Sequence, residues 1–127
     1  MGVFAVDVEV AKPGKKVRWV LIKKVLVDTR SELTWLPEAE LRSLGIEMFK
    51  RDQVFVMANG QQVTRDVGVA LIRCGEFKTV DEVVFARPGD LLRLGARTIE
   101  GFNAIVDSRK RKPLFSPPGH ASRPGEH

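Results

Sequence analysis

Cysteine is nearly missing from this chain. Cys74 is the only one in 127 residues, so no internal disulfide can form and no Cys-x-x-Cys pair exists to hold a metal. Histidine is almost as scarce. His120 and His127 both fall near the C-terminal end, which leaves no His-x-x-x-His spacing and no imidazole in the body to activate a hydroxyl nucleophile. No apolar run approaches the ~20 residues of a membrane-crossing helix. Neither G-x-G-x-x-G nor another phosphate-binding glycine loop occurs, and no internal repeat is visible. Asp7 and Glu9 come early and no small-residue cleavage site follows, a pattern unlike a signal peptide. Together these absences predict no metal, no cofactor and no membrane partner, and a reducing, cytoplasmic setting.

What is there is an ordinary globular balance, with 43% hydrophobic and 29% charged residues. The length suits one domain with a real core. The net charge is +5, but it is unevenly placed: Arg109, Lys110, Arg111, Lys112 and Arg123 face only Asp107 and Glu126 in the C-terminal stretch. The body is near neutral, which argues against a broad nucleic-acid-binding face. A basic-tailed, nucleic-acid-associated protein stays open as an alternative, resting on residues 109–112 alone. Residues 1–115 are expected to form the single domain. Residues 116–127, rich in Pro and Gly, are expected to be a disordered tail.

Strand patterns dominate the body. Phe4, Val6, Val8 and Val10 alternate with polar or small residues, and 17–27 returns after a turn at Lys12-Pro13-Gly14-Lys15. Lys23-Lys24 interrupts the second strand and suggests a bulge. Thr34 is placed to cap a short helix with Pro37 in its first turn, Ala39, Leu41 and Leu44 inward, and Gly45 at its end. Residues 54–57 and 63–73 flank Ala58-Asn59-Gly60-Gln61, a hairpin signal because Asn-Gly tolerates positive φ at both positions. Val63, Val67, Val69 and Leu71 alternate along its second arm. Cys74-Gly75 marks another turn, 80–85 a strand, 96–102 a short helix and 104–107 a closing strand. Trp19, Trp35, Phe55 and Phe85 lie in or beside apolar strands and read as core.

One stretch invites chemistry. Val25-Leu26-Val27 runs straight into Asp28-Thr29-Arg30-Ser31. A carboxylate directly after a buried strand is costly unless its lone pairs are satisfied, so Asp28 is either a loop anchor or a functional acid. This stretch resembles the active-site loop of the retropepsin-like aspartic proteases, whose signature is three apolar residues, Asp-Thr-Gly, then Ser or Ala. Leu94-Gly95 followed by a helix resembles the family's second signature. Arg30 replaces the family's Gly, and Arg93 replaces an apolar residue.

The resemblance implies an all-β fold, a small closed barrel of acid-protease type with one or two short helices. It implies a homodimer, because each chain supplies one Asp28 to a shared dyad, and aspartic-type hydrolysis of a peptide or protein substrate. Thr29 would brace the two loops across the dimer axis, and Ser31 would bond near the outer carboxylate oxygen. Met57, Ala58, Asn59 and Gly60 would form the flap, with Leu94 and Gly95 supporting the loop. Two carboxylates about 3 Å apart share one proton, one acting as base and the other as acid. A guanidinium beside such a carboxylate favours its anion and opposes that sharing. The expectation is therefore low or no activity for the chain as given unless Arg30 turns outward. An inactive, protease-like homodimer that binds extended peptides is the alternative.

Overall fold

The computed structural model describes residues 4–107 and 114–116. The basic run at 109–112 and the expected tail from 117 onward, with both histidines, lie outside the described residues. The fold is mostly β. Seven strands, β1 (Phe4–Ala11), β2 (Val20–Val27), β3 (Thr34–Pro37), β4 (Met48–Val56), β5 (Gln62–Cys74), β6 (Phe77–Ala86) and β7 (Arg93–Leu94), form one sheet in the order β1-β2-β7-β3-β6-β5-β4, and β1 also pairs with β5.

β1 (Phe4–Ala11) and β2 (Val20–Val27) form the expected antiparallel hairpin. Their register slips between Val6 and Val8, where Lys23 and Lys24 together oppose one residue, Asp7. Lys24 has φ 61° and its N–H donates to Asp7 Oδ1 at 3.1 Å, so the interruption is a bulge closed by a carboxylate.

The residues after the loop depart from the expectation. Thr34 does not cap a helix: β3 (Thr34–Pro37) is a strand, and α1 (Glu38–Ser43) begins after Pro37, with no side-chain cap. β3 pairs in parallel with β6 (Phe77–Ala86), from Thr34 opposite Val83 to Pro37 opposite Ala86. Both faces are covered, so Thr34, Trp35 and Leu36 are all buried, as are Val83, Val84, Phe85 and Ala86. Leu41 and Leu44 face inward from α1, whereas Ala39 is exposed. Gly45 ends the turn with φ 79°, the left-handed residue expected there.

β4 (Met48–Val56) and β5 (Gln62–Cys74) make the Asn-Gly hairpin, and β5 and β6 make the next around Gly75-Glu76. The first turn differs in detail. Only Gly60 has positive φ, at 85°, while Gly60 N–H donates to Met57 O and Met57 N–H to Gln61 O, both at 2.8 Å. The loop is thus three residues with Gly in the left-handed place, and Asn59 contributes through its side chain, Oδ1 accepting from Gln61 N–H at 2.9 Å.

The inward residues of β5 change parity midway. Val67 packs with Trp35 and Val84 in a small second core, whereas Ala70 and Ile72, not Val69 and Leu71, enter the main core. Val69 is exposed. One long strand therefore serves two cores, which a single alternation cannot describe. Of the four aromatic residues read as core, Phe85 and Trp35 are buried, while Trp19 and Phe55 are half-buried.

β7 (Arg93–Leu94) has only two residues. It lies between β2 and β3, parallel to the first and antiparallel to the second, and leads into α2 (Ala96–Gly101). β8 (Ile105–Asp107) pairs with β9 (Leu114–Ser116) as a separate small sheet. β9 had no counterpart in the sequence reading and runs one residue into the segment expected as tail.

Candidate functional site

β2 is parallel to β7 with Leu26 opposite Arg93 and Val27 opposite Leu94. That register brings the two signature stretches together: Leu26 N–H donates to Leu92 O at 3.0 Å and Asp28 N–H to Leu94 O at 3.1 Å. The loop at 28–33 then passes over the start of α2. Ser31 O accepts from Ala96 N–H at 2.8 Å and Glu32 O from Arg97 N–H at 3.1 Å. Two of the helix's first N–H groups are thereby satisfied by the loop backbone in place of a side-chain cap.

A buried hydroxyl chain ties this joint to β6. Gly95 N–H donates to Thr34 Oγ1 at 2.9 Å, Thr34 and Thr98 hydroxyls lie 2.6 Å apart, and Thr98 Oγ1 donates to Asp81 Oδ2 at 2.9 Å. An ionised carboxylate only accepts, so Thr98 spends its single proton on Asp81 and Thr34 must donate to Thr98. Asp81 Oδ1 accepts Glu82 N–H at 2.7 Å. Thr34 and Thr98 are fully buried. Thr34→Val keeps the shape but strands Gly95 N–H; the expected loss is about 1–3 kcal/mol of stability, measured by urea unfolding.

Asp28 directly follows β2, with its side chain 20% exposed, in a cleft of about 780 Å³. Ser31, Trp35, Phe55, Met57, Ala58 and Arg93 are among its lining residues. Asp28 Oδ1 accepts Arg30 N–H at 3.0 Å and lies 3.4 Å from Arg30 Nε, while the Arg30 side chain is 82% exposed. Arg30 therefore turns to solvent over most of its length and still touches the carboxylate. Ser31 Oγ donates to Leu33 O at 2.8 Å and not to Asp28, so it braces the loop's own bend. Thr29 is exposed, and its hydroxyl has no partner among the described residues.

Met57 and Ala58 close the cleft from the side of the β4–β5 hairpin, with Met57 half-buried against the second core. Asn59 faces a second cleft, of about 490 Å³, and Gly60 is exposed and lines neither. Leu94 and Gly95 are buried behind the loop. Asp28, Ser31, Met57 and Ala58 are thus brought together, Thr29 stands beside them, and Leu94 and Gly95 lie beneath.

Sequence reasoning missed the rest of the wall. Trp35 meets Phe55 edge-on, with centroids 5.1 Å apart at 62°, and Arg93 sits 5.3 Å from the Trp35 ring centroid. Lys50 and Arg97 flank Glu82 at 3.4 and 4.0 Å. Only Arg93 carried a signal, as a charge in an apolar signature.

The second cleft is bounded by a stronger pair. Arg65 on β5 grips Asp90 with Nε at 2.7 Å and Nη2 at 2.9 Å, and Arg87 N–H adds a bond at 2.8 Å. The Arg65 fork holds the Asp90 carboxyl below the usual carboxylate range, against burial, which pushes it up; the Arg87 amide assists Arg65. A depressed carboxyl stabilises the fold above its unfolded value, and that stability is lost as pH falls through the folded one. Asp90→Asn is expected to cost on the order of 1–2 kcal/mol at neutral pH, and the deficit should close in acid below the ordinary carboxylate range. Paired urea titrations across pH check this.

The lone thiol is shifted by the same physics. Burial pushes Cys74 up to about 11, with Asp7 nearby adding to the rise. Among the described residues no cluster of three or more His, Cys, Asp or Glu side chains is arranged to hold a metal ion. No helix among the described residues is long and apolar enough to cross a membrane. No protein-family model matches the chain, and no curated protein matches it either.

Proposed function

We propose that this chain is one half of a retropepsin-like aspartic endopeptidase, with Asp28 and its symmetry mate as the acid/base dyad of a homodimer. The observation that carries the reading is the joint between the two signature stretches. Asp28 leaves β2 hydrogen-bonded to Leu94, and the loop behind it is tied to α2 through Ser31 and Glu32. A carboxylate at the rim of a cleft faces a hairpin across from it, with an aromatic and aliphatic wall between. That is the layout an extended peptide needs.

Barrel closure follows the same reading. β1 pairs with β2 at one side and with β5 at the other, which supports a small closed barrel of acid-protease type, with β4 left over as the flap's outer arm. Thr29, exposed and without an intrachain partner among the described residues, is available to brace a second copy. In the dimer one carboxyl activates a water and the other, protonated, polarises the scissile carbonyl.

Arg30 favours a second reading, a dimer that binds peptides without cutting them, because its backbone and side chain both approach the same Asp28 oxygen. The experiment is cleavage of a mixed peptide library at about pH 4–6, where a shared-proton dyad is competent. The chain and its Arg30→Gly form are each compared with their Asp28→Asn partners, and the assembly is sized by sedimentation. Cleavage by a dimer that vanishes with Asp28→Asn supports hydrolysis. Cleavage that survives Asp28→Asn, or silence from both the chain and Arg30→Gly, sinks it.

A further inference from the structure

The basic residues around the cleft are mostly accounted for. Arg30 lies 3.4 Å from Asp28, while Lys50 and Arg97 lie 3.4 and 4.0 Å from Glu82. Arg65 takes Asp90. Glu32, at the rim, is exposed and unpaired among the described residues.

Arg93 differs from all of these. Its Nε is buried, and among the described residues no acceptor pairs with Nε or with the rest of its guanidinium. A buried charged donor without an acceptor is unfavourable, and native proteins rarely keep one without a use. The side chain is nevertheless well located. Its backbone is pinned between Leu26 and Trp35 by the pairings of β7, and its guanidinium lies over the Trp35 ring at 5.3 Å. It borders both the large cleft and the smaller one under the flap tip. A planar fork held over an aromatic ring, with its acceptors missing, is matched by a planar anion that accepts two hydrogen bonds.

We propose that Arg93 is a specificity-determining residue that receives a carboxylate of the bound peptide, either an acidic side chain or the chain's C-terminus. The proposal rests on the cleft being a peptide site, and it makes the preferred ligand an acidic peptide. Trp35 and Phe55 would take the apolar side chain next to that carboxylate. Nearby acids do not occupy Arg93: Glu82 and Asp90 are already engaged by other cations, and Glu32, the unpaired acid of the rim, makes no hydrogen bond or ion pair with Arg93.

The test separates binding from cutting. The Asp28→Asn protein, full length and immobilised, is offered a mixed peptide library with free and with amidated C-termini. Retained peptides are sequenced. Enrichment of Asp and Glu over Asn and Gln by about tenfold at one position is expected, as one charge-assisted pair gives. Persistence on amidated peptides assigns the contact to a side chain; a preference for free over amidated termini assigns it to the C-terminus. Arg93→Leu in the same background should flatten whichever preference is found while leaving the apolar choice at neighbouring positions.

Equal retention of acids and amides together with indifference to amidation overturns the proposal. So does a preference that survives Arg93→Leu, which would belong to another cation. If Arg93→Leu fails to fold, Arg93→Lys decides: a severalfold drop of the same preference supports the fork, and no change overturns it. An Arg93-dependent preference with no cutting by any form keeps this inference and sinks hydrolysis. Cutting without the preference does the reverse, and no retained peptide at all sinks both this inference and the peptide-site reading.

Discussion

Under the proposed aspartic mechanism, Arg30→Gly is expected to raise the rate of peptide cleavage by at least ~100-fold, the scale on which general acid–base catalysis contributes. Asp28 Oδ1 now carries two donors from one residue, the Arg30 amide at 3.0 Å and Nε at 3.4 Å. Glycine keeps the amide and removes the whole side chain, so the exchange isolates the side chain's effect. A dyad oxygen must be open to a water or to the shared proton, and an arginine contact competes for the same lone pairs. In a two-fold dimer the two Arg30 side chains would also approach one axis and repel.

Stability should hardly move. The Arg30 side chain is 82% exposed, so its removal leaves no cavity, and an exposed ion pair contributes only ~0–1 kcal/mol. Nor does the backbone at Arg30 require glycine, since its φ is not positive. Initial rates on the peptides that are cut, with melting curves alongside, make the measurement. Arg30→Gln separates charge from bulk: recovery in both variants indicts the charge, recovery in glycine alone indicts the space. An unchanged rate in Arg30→Gly would acquit Arg30, and the outward turn of its side chain would then be sufficient.

Much of the fold was legible because its hairpins are local. Alternation in β1 and β2, a lysine pair at the bulge and glycines at 45, 60 and 75 each act within a few residues. β3 was misread for a physical reason. A parallel strand covered on both faces does not alternate, and Thr-Trp-Leu-Pro before an amphipathic run looks like a helix start. β7 is too short for any period, and its place is set by partners on both sides. The site divides in the same way. Asp28 was visible as an acid closing an apolar strand, whereas Trp35, Lys50, Glu82 and Arg97 join its cleft only through tertiary strand pairings. Arg93 was noticed as a charge in the wrong place, and its lack of an acceptor needed coordinates.

Gly95→Ala should be among the most destabilising single changes in the described chain, at about 3 kcal/mol, the upper end for overpacking. The backbone at Gly95 is ordinary, with φ −90° and ψ 173°, so the residue is not needed for its conformation. It is needed for space. A Cβ there would stand 2.6 Å from the Leu33 carbonyl carbon and 2.8 Å from Glu32 O, and would collide with Leu33 O. These are backbone atoms, and the loop cannot easily retreat, because Ser31 O and Glu32 O bond the first amides of α2. Gly95 N–H is itself engaged by Thr34. Gly89→Ala is the control: its φ of 94° disfavours a side chain, yet nothing lies within 4 Å, so about 1–2 kcal/mol of backbone strain is all that is expected. Against a total stability of roughly 5–15 kcal/mol, the difference is readily seen in urea midpoints. A loss at Gly95 no larger than at Gly89 would mean that the loop yields to a methyl group. Asp28 would then not be held rigidly enough to be poised for catalysis, and the protease reading would lose its structural footing.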